Sequence, residues 1–345
     1  EMRVFEEESL EKLYPVLFRE ILEDGDDVSP RGYLTKEISP ATLVITDPKK
    51  KVIPSKIRRL NFGFMVAELL WILRGSDNVD EIAWYNGSWR NFSDDGKTLN
   101  GAYGKRIFKH PCAFNDGIKD TIVEVNQFKK CYELLKEDPD SRQATIVLFN
   151  PLLDNRETKD KPCTNLLRFS IRKNKLNMLV MMRSNDIEKG TPYDIFNFTS
   201  LQEIMAGLLG IEVGKYTHVA DSLHLYESYF ETAKELVTER YPSLYDEVGT
   251  FDGRILVNSY EEFEQLLEKI NRIEKYTREN KDADLNKVID GLKDIDNQVW
   301  QSYAAILATY NFRKHRRTQD ELDELKKLIT NEFKTLFEER YNELH

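Results

Sequence analysis

The 345-residue sequence has little cysteine, only Cys112, Cys131 and Cys163, set far apart. Three dispersed cysteines cannot build a disulfide framework, and no CxxC or HExxH stretch offers ligand spacing, so no metal site is expected. Long apolar runs are missing too. The longest, such as LLWIL, falls far short of a membrane span. The acidic start EMRVFEEESLEKLYPVLF lacks the cationic lead and apolar block of a secretory signal. No membrane association is expected, and a reducing cytoplasm is the default compartment. There is no excess of positive charge: 50 Lys and Arg against 60 Asp and Glu leave −10, which argues against nucleic acid as a partner. A pocket with a few arginines for a single phosphate stays compatible with that balance. Internal repeats and low-complexity linkers are absent.

What is present is a large apolar complement, 40% of residues with 16 Tyr, 18 Phe and 4 Trp, enough for an extensive core and too much for disorder. Apolar periodicity predicts helices over 8–24, over 61–74 ending at Gly75, over 119–137, and over 195–209 ending at Gly210. Strands are predicted over 144–150 and over 166–184, the latter turning at KNK, with strand and turn again around KYTHVADSLHLY. Beyond about residue 256 the pattern changes. LEKINRIEKYTREN, LNKVIDGLKDIDNQVWQSYAAILATY and ELDELKKLITNEFKTLFEERYNEL read as charged amphipathic helices. The predicted organisation is a body over 1–255 and a helical extension over 256–345, packed on the body or on another subunit.

The stretch KPCTN places Cys163 directly after Pro162. A lone cysteine is more often a small buried hydrophobe than a nucleophile. Its company raises the odds: twenty residues on stands RSNDIEKGTPYDIFNF. Arg183 and Ser184 pair a fixed cation with a hydroxyl, a combination suited to phosphate, although an arginine is by default a surface ion-pair former. Gly190 and Pro192 mark a tight loop, and Asp194 after them reads equally well as a helix N-cap or as a functional carboxylate.

Taken together, AELLWILRG (67–75), LNGAYGKR (99–106), DPDSRQATI (138–146), PCTN (162–165), RSNDIEKGTPYDI (183–195) and HLY (224–226) resemble the thymidylate synthases and the related nucleotide 5-hydroxymethylases. The resemblance spans about residues 8–240. It implies an α+β fold with a mixed sheet packed by helices, here with a C-terminal helical extension. It implies that Cys163 attacks C6 of a pyrimidine nucleoside monophosphate, activating C5 toward the one-carbon unit of 5,10-methylenetetrahydrofolate. By the same resemblance Arg31, Arg142, Arg183 and Ser184 hold the 5′-phosphate, and His224 and Tyr226 contact the sugar. Glu68 organises proton transfer, Tyr103 lies near C5, and Asp186 with Gly190 faces the folate. Arg142 matches an arginine that crosses a subunit interface, which implies a homodimer with shared sites.

Four features depart from the synthases. Thr164 follows the cysteine where a histidine is usual, Gln143 replaces an arginine, the chain runs on past the usual closing tail, and Asp194 stands in place of asparagine. A carboxylate can accept from the cytosine amino group and share a proton with N3, which asparagine cannot do. The expected activity is therefore conversion of dCMP, or CMP, to its 5-hydroxymethyl derivative. Methylation of dUMP, a silent nucleotide-binding homologue and a cysteine hydrolase are the alternatives; no histidine has an evident pairing with Cys163 for the last.

Overall fold

The computed structural model describes residues 3–115, 117–330, 333–334 and 336–337. The chain opens with β1 (Arg3–Glu7), α1 (Leu10–Asp24), β2 (Asp26–Val28), β3 (Thr35–Ile38) and β4 (Ala41–Ile45). Next, α2 (Phe62–Leu73) is buried along its whole length and ends at Gly75, whose φ of 63° suits a residue without Cβ. Two short helices, α3 (Val79–Ala83) and α4 (Tyr103–Phe108), precede the hairpin β5 (His110–Asn115) and β6 (Asp120–Val125). There follow α5 (Gln127–Glu137), β7 (Thr145–Val147), α6 (Pro151–Asp154), the hairpin β8 (Thr164–Arg172) and β9 (Lys175–Met182), and the short β10 (Asn185–Asp186). The long α7 (Thr191–Leu209), β11 (Glu212–Ala220), β12 (Leu223–Tyr226), α8 (Phe230–Thr238) and α9 (Leu244–Val248) complete the body. Four more helices come last: α10 (Tyr260–Glu279), α11 (Leu285–Lys293), α12 (Gln298–Lys314) and α13 (Gln319–Lys326).

Six strands form a mixed sheet in the order β1-β4-β11-β9-β8-β7, and a second sheet runs β10-β12-β3-β2. β1 lies parallel to β4 and β9 parallel to β11, while the β8–β9 pair is antiparallel. That pair turns on Lys173 and Asn174, both at positive φ, which is the two-residue turn that matches strand twist. With α7 laid on β9 and β11, the architecture is the α+β fold expected, a mixed sheet packed by helices. Strand alternation leaves apolar side chains on the sheet's outward side: Val147, Leu179 and Met181 are 45%, 36% and 42% exposed.

Two predicted elements are corrected. The helix expected over 119–137 begins only at Gln127, because DTIVEV is dense in β-branched residues and pairs with β5 instead. The strand expected over 144–150 is limited to Thr145–Val147, since Asn150 caps the turn of helix that starts at Pro151. Of the predicted C-terminal helices the first is α10, the second is broken into α11 and α12 at 294–297, and the last is helical as α13 to Lys326; its residues 331, 332, 335 and 338–344 lie outside the described part.

These helices share the buried core of the body. α12 is buried on nearly all sides, which a charged, amphipathic reading does not anticipate, and it packs on α2 and α10. Glu274 of α10, 1% exposed, accepts from Arg74 Nη1 at 3.1 Å, Arg278 Nε at 2.7 Å and the Tyr85 hydroxyl at 2.8 Å. Burial alone would raise its pKa, but the two guanidinium groups hold it below the ordinary value. Among the described residues no helix is long and apolar enough to cross a membrane.

Candidate active site

The twenty-residue separation of Cys163 and Arg183 follows from the β8–β9 register. Leu166 pairs with Met181 and, after a bulge, Thr164 with Met182, so the next residues out are Cys163 and Arg183. The Arg183 N–H donates to Cys163 O at 2.9 Å. Its guanidinium donates to Pro162 O and Lys161 O, both at 3.1 Å, and lies 3.8 Å from Cys163 Sγ. Even so, the thiol is raised above its usual pKa. Burial is the main cause; Arg183 opposes it, and Asp194, Asp160 and Asp186 add to it. The resting group is a thiol.

Asp194 comes from the first turn of α7. It is not the N-cap: that position belongs to Gly190, with no side-chain cap at all, and the Asp194 carboxylate instead accepts from Asn185 Nδ2 at 2.9 Å. Burial, with the nearby Asp186 charge, pushes Asp194 up to about 7 despite the Asn185 hydrogen bond. Glu68, on the second turn of α2, accepts from Asn197 Nδ2 of α7 at 2.7 Å. Burial first, then the charge of Asp194, raises it to about 8. Near neutrality the pocket thus holds two carboxyls that are largely or partly protonated, each able to give a proton or take one back.

Tyr103, at the start of α4, stacks on Phe198 with ring centroids 5.9 Å apart. α4 packs directly on α2 at Gly104, where a Cβ would lie 2.3 Å from Ile72 O. Thr164 Oγ1 and Asn197 Oδ1 are buried without a hydrogen-bond partner. The Thr164 hydroxyl is near enough to perturb the Tyr103 phenol without making a well-formed bond to it. Two bare polar atoms beside Glu68 and Cys163 are suited to a polar ligand or a water.

The other expected residues divide into two groups. β10 runs beside β12 with Asp186 opposite His224, and the His224 and Tyr226 rings are 5.5 Å apart, so Asp186, His224 and Tyr226 lie together, with Ser184 between Arg183 and the start of β10. Asp186 Oδ1 accepts the N–H groups of Glu188 and Lys189, each at 2.9 Å, which fixes the carboxylate, and Gly190 N–H donates to Asp186 O at 2.9 Å. Arg31 and Arg142, by contrast, are exposed, and no side-chain hydrogen bond ties either to the cluster around Cys163 among the described residues. Arg31 lies on a turn at φ 55°, and Arg142 in the loop before edge strand β7.

Sequence reasoning missed Asn185, Asn197, His218 and Tyr216. They come from β10, α7 and β11, and the signals that could have found them are local ones, Asn197 one helical turn after Asp194 and Tyr216 and His218 on one face of a strand.

The fold thus gathers a cysteine against an arginine, two buried carboxyls of raised pKa and a stacked tyrosine. The thymidylate synthase family model matches residues 12–277, and the chain belongs to that family of one-carbon transferases that use methylenetetrahydrofolate. It is an enzyme of this class. Among curated proteins it is similar to the "deoxyuridylate hydroxymethyltransferase" of Bacillus phage SP01, 36% identical over 288 residues, covering 81% of this chain and 73% of that one. Proteins of the same name from Delftia phage PhiW-14 and Pseudomonas phage M6 are 30% and 32% identical over 56% and 63% of this chain. The matches span little more than half the length of those two relatives, 54% and 58%.

Proposed function

We propose that the protein is a 5-hydroxymethylase of a pyrimidine deoxynucleotide, with deoxycytidylate as substrate. The observation that carries this reading is the buried Asp194 carboxyl, raised to about 7, beside Cys163. Near neutrality it can share a single proton with cytosine N3 while accepting from the amino group, and that proton absorbs the charge that develops when sulfur adds to the ring. Sharing the proton also removes one of the negative charges that hold the Cys163 thiol protonated.

In this reading Cys163 Sγ bonds to C6, and C5 becomes the nucleophile. Methylenetetrahydrofolate supplies one carbon at the formaldehyde level. Glu68, protonated and oriented by Asn197, serves as the local proton donor and acceptor as C5 loses its hydrogen and the ring is restored. Thr164 Oγ1 and Asn197 Oδ1 are the groups that would hold the water that ends the sequence as hydroxyl. Sulfur then leaves C6. The nucleotide gains CH₂O overall, and tetrahydrofolate is released without oxidation.

A second reading, deoxyuridylate, is favoured by the names of the relatives, and a neutral Asp194, which offers one donor and one acceptor as asparagine does, is compatible with uracil as well. Incubation with methylenetetrahydrofolate and dCMP, CMP, dUMP or UMP separately, read by mass spectrometry, decides between them. The expected result is a gain of CH₂O on dCMP with no dihydrofolate formed. Gain of CH₂ with dihydrofolate overturns the hydroxymethylase reading; turnover of dUMP alone overturns the choice of base.

A homodimer with shared sites is part of the proposal. The outward sheet face carrying Val147, Leu179 and Met181 gives a second copy an apolar surface, and Arg142 sits at that sheet's β7 edge, free to reach a neighbour's phosphate. Arg142→Ala and Cys163→Ala should each be inactive alone. Mixed under subunit exchange, they should recover about a quarter of wild-type sites, the statistical share for a two-fold dimer. Zero recovery with heterodimers demonstrated rejects the shared phosphate site.

A further inference from the structure

Behind Asp194 lies a chain of buried polar groups drawn from β10, α7 and β11. Asn185 is 2% exposed; Thr191, Tyr216 and His218 are fully buried. The acceptor end of the Asn185 amide, Oδ1, is met by Thr191 Oγ1 at 2.8 Å and by His218 Nε2 at 3.0 Å. An amide oxygen only accepts, so the ring proton of His218 must be on Nε2. Burial lowers His218 to about 3, which leaves the imidazole neutral with that one proton. Its bare Nδ1 then takes the Tyr216 hydroxyl, 2.8 Å away. With two donors at Oδ1, the amide cannot turn over, and its N–H end is aimed at Asp194 Oδ2, 2.9 Å away. The backbone closes over this bond at Gly190, where a Cβ would come within 3.2 Å of both Asn185 Nδ2 and Asp194 Oδ2.

A neutral carboxyl beside a pyrimidine has two forms, depending on which oxygen carries the proton. One offers a donor to N3 and an acceptor to the exocyclic group, which suits cytosine; the other is reversed and suits uracil. We propose that Asn185 is a specificity-determining positioning residue: by donating to Oδ2 it keeps that oxygen an acceptor, confines the carboxyl proton to Oδ1, and so commits Asp194 to one base. This rests on the reading of Asp194 as the group that faces the base. Asn185 acts through Asp194, and His218 and Tyr216 act through Asn185.

The test is the ratio of kcat/KM for dCMP over dUMP in Asn185→Leu, His218→Phe, His218→Gln and Asp194→Asn, with folding checked by circular dichroism and thermal melts. Loss of a single directing hydrogen bond should bring the ratio toward unity by about tenfold or more in Asn185→Leu and His218→Phe. His218→Gln retains an N–H near the Nε2 position and should keep the ratio within about threefold, a rescue that a purely packing role would not give. If Asn185→Leu does not fold, the His218→Phe and His218→Gln pair carries the same comparison. A ratio unchanged in Asn185→Leu and His218→Phe but shifted in Asp194→Asn overturns the proposal and leaves Asp194 as the base reader. A ratio unchanged in all four overturns both.

Discussion

Cys163→Ala is expected to lower turnover on the order of 10⁴-fold or more, with nucleotide binding largely kept. Sulfur is the only group in the cluster able to form a carbon bond at C6, and no other cysteine can substitute. Cys131 is buried, and burial raises its thiol to about 12, which makes it inert; Cys112 lies on the β5–β6 hairpin away from the cluster. Cys112→Ser and Cys131→Ala should therefore stay active. Binding persists in Cys163→Ala because the contacts proposed for phosphate and sugar come from other side chains: Arg183, Ser184, His224 and Tyr226. The checks are single-turnover product formation and nucleotide affinity by calorimetry. Alanine-variant turnover within a hundredfold of wild type would rule out covalent catalysis.

The second large effect concerns Asp194→Asn. The substituted amide can still accept from Asn185 Nδ2 through its oxygen, so its N–H₂ end takes the place of the protonated oxygen, but an amide has no acid proton to share with cytosine N3 as sulfur adds. Cytidylate therefore loses the group that absorbs the charge developing on its ring, a loss that uridylate, whose N3 already carries hydrogen, does not share. A hydrogen bond to a charged group contributes about 1.5–3 kcal/mol. The ratio of kcat/KM for dCMP over dUMP should fall by up to about two orders of magnitude. A ratio that stays within a few-fold excludes Asp194 as the base reader. The alternative of an N-cap is already closed, since Gly190 takes that position.

Much of this protein was legible from order along the chain. The apolar alternation of 166–184 around KNK determines a hairpin, and the hairpin, with its register shifted by one bulge between Thr164 and Leu166, brings Cys163 beside Arg183. Helical periodicity with glycine stops marks α2 and α7 within a residue or two at their C-terminal ends, and those helices carry Glu68 and Asp194. Local pattern was less decisive where two periodicities compete. DTIVEV sits in front of a true helix and is apolar enough to extend it, but its β-branched residues find a partner strand in β5.

Tertiary structure alone decided the rest. Whether a carboxyl is charged depends on what buries it, and the raised values of Glu68 and Asp194 arise where α2 crosses α7 and water is excluded. The bonds that orient Asp194 run from β11 through β10 to α7, joining Tyr216, His218, Asn185 and Asp194. The burial of α12 against α2 is likewise set by packing: its own residues are uncharged up to Arg313 and Lys314, but the elements that cover it come from distant segments. Periodicity reports which face of one element turns inward; desolvation and hydrogen-bond direction depend on which elements meet there, and contacts between distant segments settle that.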